Sequence, residues 1–387
     1  MANAYAADGV NVQEGDSFSA LAGRVCRDSY GNSRFVKVHD LSRGHFRGPR
    51  SFTFQNLPEG YTMDAAPDGI GTKVVIIDAA SSQRHASRDL VAMTCGDITR
   101  FGGLPLVFVN VLDVKTLGQS GPDAPAYQQM INNRFRSLIE GLGEVCKEQN
   151  LVAFKGETAE LGVCVGSEDR NAAMQFNWAG TAIGVYHPDK MITGETLAAG
   201  QYVVAFKEDG FRSNGISSVR KAFQKKFGVK WYRNPKAAKA ILAAAKPSVL
   251  YDHFFAWLNG WFDPDFDPII KAHLIVHVTG GAIRSKFAED VLFPRGLSAH
   301  LDMLWEPPEI MRQCAEWRGM SDEECYETWN GGQGALVVVD SCDYETLEVL
   351  AKRHGLQAQL CGKITDGKNP QVTIRSQFSG RTIVFAQ

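Results

Sequence analysis

The chain has 387 residues, with 41 basic and 43 acidic side chains that give a formal net charge of −2 at pH 7. A content of 44% hydrophobic and 22% charged residues is typical of a folded globular protein and excludes general disorder. The near-neutral charge argues against a dedicated nucleic-acid-binding protein. At roughly 150 residues per domain, the length favours two or three domains.

The sequence also argues against membrane and secreted classes. No apolar run approaches the roughly 18–20 residues that a membrane helix needs. Residues 1–15 have neither the basic flank nor the apolar core of a secretory signal. The eight cysteines form no Cys-x-x-Cys pair and no cluster with zinc-finger spacing, so we expect reduced thiols, most of them buried. These features together favour a soluble cytoplasmic enzyme.

The predicted elements of the first half alternate between strands and helices. Val74–Ile77 and Leu104–Val111 are apolar runs that predict buried strands, and Asp89–Phe101 between them is predicted to be helical. Tyr127–Gln149 has apolar residues at three- and four-residue steps, which predicts an amphipathic helix. Short strands are predicted within 152–154 and 181–185.

A polar stretch after His187-Pro188 predicts the domain boundary, with residues 1–187 in an N-terminal domain and 188–387 in a C-terminal domain. The second half repeats the mixture of elements. Its predicted strands are 202–206, 274–278 and 335–339, and its predicted helices are 216–227 and 236–245. Interleaved strands and helices in both halves predict a mixed α/β class, without specifying how the strands pair.

The first candidate site is Asp68-Gly69-Ile70-Gly71-Thr72-Lys73. The glycines allow a tight turn and let backbone N–H groups approach an anion. The flanking acid and lysine are suited to Mg²⁺ and phosphate, although the order of a Walker A loop is absent. Taken alone, an Asp-Gly pair is more often an ordinary turn.

Three further acids are candidate metal ligands. Asp89 and Asp97 flank a predicted helix, and Glu157 follows an apolar segment. Mg²⁺ typically keeps several waters and is held by one or two carboxylates plus substrate phosphates, which scattered acids can supply. By spacing alone, a helix cap at Asp89 and a solvated side chain at Asp97 are the better interpretation, and a cap at Glu157 fits equally well.

Glycine-containing turns recur in the second half. They are Arg212-Ser213-Asn214-Gly215 before a predicted helix, Thr279-Gly280-Gly281 after a strand, and the glycine-dense segment 330–334. Unpaired N–H groups at a helix start hold phosphate, whereas the last segment fits a β-turn or bulge equally well. Taken together, the turns and acids favour a nucleotide-using enzyme with a small phosphorylated substrate.

The motifs resemble, in order, those of the phosphoribosylformylglycinamidine cyclo-ligase (AIR synthetase) family of de novo purine synthesis. The similar segments are 68–73, Asp89-Leu90-Val91-Ala92-Met93 with Asp97, 156–161, 212–221, 277–281 and 328–334. Six motifs in the same order are far more specific than one. The resemblance runs from about Val12 to beyond Ile364.

The resemblance implies a two-domain α/β subunit of AIR synthetase-like fold. It implies a homodimer whose N-terminal sheets join into a barrel, with the C-terminal α/β layers flanking it. It further implies an ATP- and Mg²⁺-dependent reaction that closes the imidazole ring of formylglycinamidine ribonucleotide. In that reaction the amide oxygen is phosphorylated, a nitrogen attacks the activated carbon, and phosphate leaves.

The resemblance also assigns roles by motif position. The metal ligands would be Asp68, Asp89, Asp97 and Glu157, and the catalytic set would be Lys73, Asp97, Glu157 and Arg212. Ser213, Asn214 and Gly215 would contact the substrate. The nucleotide would lie against Asp68, Gly69, Gly71, Thr72, Thr279, Gly280 and Gly281.

Several positions depart from the family pattern. The family's glycine-rich lid over the nucleotide is replaced by the more basic segment 39–50, in which Arg43 and Arg47 are candidate phosphate-binding residues. Cys26 replaces a lysine, Arg212 replaces a histidine, and loops near 120–127 and 261–268 are longer. Two alternatives therefore stay open: another ATP-dependent superfamily member with a different small substrate, and a nucleotide-binding dimer without turnover.

Overall fold

The computed structural model describes residues 12–41 and 50–387. The chain divides into two compact units, the first comprising residues up to Cys95 with Pro105–Val185, and the second comprising Gly96–Leu104 with Tyr186–Gln387. The short segment 96–104 thus groups with the second half of the chain. Among the described residues, no helix combines the length and apolar character needed to cross a bilayer.

The first unit alternates helices and strands. In chain order these are α1 (Val12–Ser29), β1 (Val36–Asp40), β2 (Arg50–Phe54), β3 (Thr62–Gly69), α2 (Lys73–Ala80), α3 (Ala86–Thr99), β4 (Leu104–Val114), α4 (Ala126–Glu148), β5 (Val152–Glu160) and β6 (Phe176–Tyr186). Strands β1 and β2 form an antiparallel pair. A four-stranded sheet has the order β3-β6-β4-β5, in which β4 and β5 are parallel.

Helix α4 confirms the amphipathic prediction. Its buried residues include Ile131, Phe135, Leu138, Leu142 and Val145, which recur on one face at the 3.6-residue period. Helices α1 and α4 pack against each other and against β5. One face of the four-stranded sheet is thereby covered.

The prediction of a strand at Val74–Ile77 is wrong, because these residues lie in helix α2. Val75, Ile76 and Ile77 are all buried. A short apolar run that is buried on every side has no polar face, so periodicity does not distinguish a buried strand from a buried helix. The strand of this region is β3, which precedes the run.

The second unit contains β7 (Tyr202–Lys207), α5 (Ile216–Phe227), α6 (Ala238–Ala244), α7 (Asp252–Leu258), β8 (Ala272–His277), the π-helical segment Ile283–Leu292, β9 (Leu297–Leu301), α8 (Glu309–Arg318), α9 (Asp322–Thr328), β10 (Gln333–Val339), α10 (Tyr344–Arg353), β11 (Ala358–Asp366), β12 (Gln371–Arg375) and β13 (Thr382–Ala386). A seven-stranded sheet has the order β13-β12-β9-β11-β7-β10-β8. Its β9–β12 pair is parallel, whereas β10 pairs antiparallel with both β7 and β8.

The central strands of this sheet are buried on both faces. On β10, Leu336 and Val338 belong to one apolar cluster, and Val337 and Val339 belong to another. Because successive side chains of a strand point to opposite faces, the sheet is covered by apolar groups on both sides. The mixed α/β fold class predicted from the sequence is confirmed.

The longer loop near 261–268 packs within the second unit. The Trp261 indole N–H donates to the Gly102 carbonyl oxygen over 2.7 Å. The buried Lys190 ammonium donates to the carbonyl oxygens of Asn259, over 2.7 Å, and of Phe266. The Trp261 contact binds the loop to the turn that follows α3, which helps explain why residues 96–104 group with the second unit. The other longer loop is held where Ser120 donates to the Glu14 carboxylate over 2.7 and 2.9 Å.

Candidate active site

Asp68 and Glu157 both line one cavity of about 510 Å³ in the first unit. Asp68 stands near the end of β3 and accepts a hydrogen bond from the Gly69 N–H over 2.6 Å, while Glu157 lies on β5. Val111 on β4 lines the same cavity and is 45% exposed, so among the described residues the cavity opens on the sheet face opposite helices α1 and α4. Two acidic residues lining one cavity match in number the usual protein share of a Mg²⁺ site.

A second cavity, of about 500 Å³, also reaches Glu157. It is walled by α1, α4 and β5 and contains the side chains of Cys26, Arg50 and Lys155. Burial raises the pKa of the Cys26 thiol to about 11, and Arg50 opposes that rise. Cys26 is therefore an uncharged thiol near pH 7, and the positive charges on this cavity come from Arg50 and Lys155.

Lys73 and Asp89 form a buried ion pair. The Lys73 ammonium donates to Asp89 over 2.7 Å, and the two side chains are 0% and 1% exposed. Lys73 is the first residue of α2, and Gly71 before it has a φ of 60°, which glycine adopts without strain. The sequence predicted Lys73 as a phosphate-binding cation and Asp89 as a metal ligand. Here they contact each other, and both roles stay predictions.

Asp97 lies in the last turn of α3, in the part that belongs to the second unit, and its carboxylate is 3.3 Å from the guanidinium of Arg100 just beyond the helix. Within residues 12–41 and 50–387, no three His, Cys, Asp or Glu side chains are grouped as a metal site. The metal-ligand roles of Asp68, Asp89, Asp97 and Glu157 stay predictions. Arg43 and Arg47 lie outside the described residues.

Two glycine-containing turns converge on the end of α9 in the second unit. A Cβ atom on Gly215 would lie 2.5 Å from the Thr328 carbonyl oxygen, and one on Gly280 would lie 2.6 Å from the same atom. The Gly280 position also lies 3.6 Å from Cβ of Asn214. No larger residue fits such approaches, so glycine lets the turns at 212–215 and 279–281 pack against the end of α9. The sequence motifs thus meet in space within this unit.

Two polar groups at this convergence are suited to ligand binding. The buried Ser213 hydroxyl makes no hydrogen bond to the described residues. A buried polar atom without a partner is costly, so an incoming hydroxyl or phosphate oxygen would be stabilised there. The Lys286 ammonium lies 3.4 Å from the Thr279 hydroxyl and adds a positive charge to the turn.

Arg212 is fully buried and acts as a hub. Its guanidinium donates to the Glu208 carboxylate over 2.8 Å, to the Val249 carbonyl oxygen over 3.2 Å, and to Nε2 of His277. The ring of Tyr251 lies 5.6 Å away. The sequence predicted a catalytic Arg212 but missed Glu208 and His277. A Glu four residues before Arg212 was the available signal for one partner, whereas no spacing indicates a histidine 65 positions away.

Two models of one protein family match this chain. The family model described as AIR synthase related protein, N-terminal domain, matches residues 54–186, and the model of the C-terminal domain matches residues 198–375. The two models follow each other along most of the chain. The resemblance seen in the motifs is therefore confirmed.

Similar curated proteins include two bacterial phosphoribosylformylglycinamidine cyclo-ligases. The one from Latilactobacillus sakei is 27% identical over 88% of this chain and 89% of its own length. The one from Alkaliphilus oremlandii is 26% identical over 94% of this chain and 97% of its own length. The archaeal enzyme of the same name from Methanococcus vannielii is 24% identical over 98% of this chain and 99% of its own.

Solved structures with the same fold include two other proteins. Thiamine-monophosphate kinase from Stenotrophomonas maltophilia superimposes with a TM-score of 0.58 at 13% identity, over 91% of this chain and 95% of that one. Hydrogenase maturation protein HypE, solved in complex with ATP, gives a TM-score of 0.54 at 14% identity, over 89% and 92% of the two chains. At these identities the likeness establishes the fold alone.

Proposed function

Because the chain belongs to the AIR synthase-related family, we propose that it is an ATP-dependent cyclo-ligase that converts formylglycinamidine ribonucleotide to aminoimidazole ribonucleotide. The observation that carries the proposal is the cavity shared by Asp68 and Glu157. It occurs in a chain whose relatives of that name align with 88–98% of it. ADP and phosphate are the other products.

The proposed reaction requires that the two substrates be positioned and that the charge of the transferring phosphoryl group be neutralised, and it requires no protein nucleophile. The γ-phosphoryl group of ATP passes to the amide oxygen of the substrate, which makes that oxygen a good leaving group. A substrate nitrogen then attacks the activated carbon, a C–N bond closes the ring, and the C–O bond to phosphate breaks. Both bond changes occur within the bound substrates.

In the proposed assignment, Asp68 and Glu157 would hold Mg²⁺ beside the phosphates of ATP. Mg²⁺ supplies charge neutralisation on the transferring phosphoryl group. Lys73, Asp89 and Asp97 are proposed near the same phosphates by motif position, as are Gly69, Gly71, Thr72, Arg43, Arg47 and 279–281. Ser213, Asn214 and Gly215 are proposed to contact the ribonucleotide, for which the buried Ser213 hydroxyl is direct support.

We also propose a homodimer formed through the open face of the four-stranded sheet. Met63 on β3 and Val111 on β4 are 67% and 45% exposed, and Ala179 on β6 lies on the same cavity as Val111. An apolar sheet face open to water is favourably covered by a second copy. Two such sheets would close the barrel implied by the motifs. Val111→Asp is expected to give a monomer in light scattering at micromolar concentration, and a dimer in that variant would contradict the assignment.

The test of the activity is ADP release by the purified protein with ATP, Mg²⁺ and formylglycinamidine ribonucleotide, compared with the same mixture lacking the ribonucleotide. We expect ADP only with the ribonucleotide, together with an aminoimidazole product detected by diazo coupling. ADP formed without it would favour an ATP-dependent reaction on another acceptor. Bound ATP without ADP formation would favour a nucleotide-binding dimer without turnover.

A matched pair of variants tests the site. Asp68→Asn removes one carboxylate from the shared cavity and is expected to lower kcat at least about 100-fold, in line with loss of an electrostatic group in phosphoryl transfer. Asp123→Asn changes an exposed aspartate that does not line this cavity and serves as the control. Equal activities of the two variants would remove Asp68 from the metal site.

A further inference from the structure

Glu208, Arg212 and His277 are buried together in the second unit, at 0%, 1% and 4% exposure. The Glu208 carboxylate accepts from Arg212 over 2.8 Å and from the Val249 N–H over 3.2 Å. Buried charges are tolerated when they are paired and hydrogen-bonded. Arg212 and Glu208 therefore form a neutral unit, and the remaining arm of the guanidinium reaches His277.

The contact between Arg212 and His277 fixes the protonation of the imidazole. A guanidinium has only donors and stays charged in proteins. Nε2 of His277 must therefore accept, which requires a neutral ring with its proton on Nδ1. Burial lowers the pKa of His277 well below 6.5, and Arg212, Lys286 and Arg100 lower it further. The acids of the same region are Glu208, which is engaged by Arg212, and Asp252, which lines a small cavity with His277.

The same contacts hold a turn in a demanding backbone conformation. Arg212 has a φ of 54° and Gly215 a φ of 64°. Left-handed backbone at a non-glycine residue costs about 1 kcal/mol or more and persists only when surrounding contacts impose it. At Arg212 those contacts are the Glu208 carboxylate on one side and the end of β8 on the other. The turn between them carries Ser213 and Asn214.

We infer that Glu208, Arg212 and His277 form a positioning unit, in which Arg212 holds His277 as the neutral Nδ1–H tautomer and thereby ties the Ser213–Gly215 turn to the end of β8. Arg212 acts here through its neighbours and carries no proton in the reaction. The effect on substrate binding rests on the proposed function.

Imidazole ¹⁵N spectroscopy tests the tautomer directly. In protein labelled with ¹⁵N-histidine, one of nine histidines should show a protonated Nδ1 and an unprotonated Nε2 at every pH between 5.5 and 8.5. That signal should be absent from His277→Gln and altered in Arg212→Lys, whose ammonium lacks the forked donors. A His277 ring that titrates in this range, or that carries its proton on Nε2, would overturn the inference whether or not the protein is a cyclo-ligase.

Steady-state kinetics test the positioning. Arg212→Lys keeps the charge beside Glu208, so it is expected to fold, and should raise the KM for the ribonucleotide about 10-fold or more while leaving the KM for ATP within about twofold. A purely structural role would leave the ratio of these two KM values unchanged. If Arg212→Lys moved the His277 proton away from Nδ1 but left both KM values unchanged, the link between the His277 tautomer and the Ser213–Gly215 turn would be overturned.

Two further variants serve as controls, one at an exposed arginine and one in which both charges of the buried pair are removed. Arg312→Lys alters an arginine that also pairs with a glutamate in the second unit, Glu306 at 3.2 Å, but on an exposed surface, and should change neither readout. Arg212→Met leaves Glu208 buried without its cation, so the double variant with Glu208→Gln should recover folding. In that folded double variant, a retained Nδ1–H tautomer with wild-type KM values would refute the positioning role of Arg212.

Discussion

The two units each contain a buried ion pair at a predicted catalytic position, and the two pairs differ in what they join. Lys73 and Asp89 lie 2.7 Å apart and link the start of α2 to α3. Arg212 and Glu208 lie 2.8 Å apart and form a hub with Val249, Tyr251 and His277. Distance and burial are nearly the same in both pairs.

The difference follows from the shape of the two cations. An ammonium is a compact charge, whereas a guanidinium directs donors along several fixed directions and also stacks on aromatic rings. Arg212 can therefore neutralise Glu208 and orient His277 at the same time. Lys73 places its charge beside the Asp89 carboxylate. The first pair is accordingly expected to govern the stability of the first unit, and the second to govern stability and site geometry together.

The largest effect is expected from Asp89→Asn, which leaves the Lys73 ammonium buried without its anion. Removing one partner of a buried pair costs about 3–5 kcal/mol. Amide hydrogen exchange of peptides from α2 and α3 should report this loss of unfolding free energy. The double variant Lys73→Met/Asp89→Leu should recover most of it. A single variant as stable as the wild type would show that the pair does not stabilise the first unit.

The Arg212 hub is also expected to impose a pH dependence through its neighbour Asp252. Burial raises the pKa of Asp252 from 3.8 to about 6, although Thr99, which donates to it over 2.7 Å, and Arg212 oppose the rise, and Asp97 adds to it. The folded state thus holds a proton between about pH 4 and 6 that the unfolded state releases. This carboxyl therefore makes folding less favourable as pH rises through that window.

Asp252→Asn removes that titration. Relative to the wild type, the variant should gain stability as pH rises from 4 to 6, by an amount on the order of 2–3 kcal/mol, and the difference should then stay level to pH 8. Urea unfolding at a series of pH values measures it. A difference independent of pH would mean that the folded-state pKa of Asp252 is not raised.

Much of the fold could be predicted from the sequence where one face of an element is polar. Helix α4 follows from Ile131, Phe135 and Leu138 at helical spacing, and α5 was predicted with its observed bounds, Ile216–Phe227. The run at Val74–Ile77 was assigned to the wrong element, because burial on all sides removes the periodic signal. Hydrophobic periodicity predicts an element only where one face of that element is polar and in contact with water.

The candidate site could be predicted only in part. Motif order located the turns at 212–215 and 279–281, and the structure brings these together. The order of the motifs did not indicate that Lys73 contacts Asp89 or that Arg212 contacts His277, because both contacts depend on how distant segments fold together. Similarly, nothing in the spacing of Lys190 and Trp261 indicates that the longer loop packs around the lysine.

A smaller effect is expected at Lys190, a buried cation that donates to backbone carbonyl oxygens instead of a carboxylate. Its ammonium donates to the carbonyl oxygens of Asn259 and Phe266 and lies 5.4 Å from the centroid of the Trp261 ring. Burial lowers the pKa of Lys190. Lys190→Met loses the hydrogen bonds but keeps apolar packing and removes a buried charge, so we expect a loss of about 1–2 kcal/mol in urea unfolding. A loss as large as that of Asp89→Asn would mean that carbonyl oxygens stabilise a buried cation as strongly as a carboxylate does.

The smallest effect is expected where the same chemistry lies at the surface. Arg84 donates to Glu140 over 2.8 Å and to Glu144 over 2.6 Å, with its side chain 43% exposed. Water and salt screen such pairs, which contribute about 0–1 kcal/mol. Arg84→Met should therefore change the unfolding free energy by less than about 1 kcal/mol, and by less still in about 0.5 M salt, roughly three times physiological ionic strength. If Arg84→Met cost as much as Asp89→Asn, burial would not be what separates these pairs, and the comparison of the two buried pairs would have to rest on hydrogen-bond geometry instead.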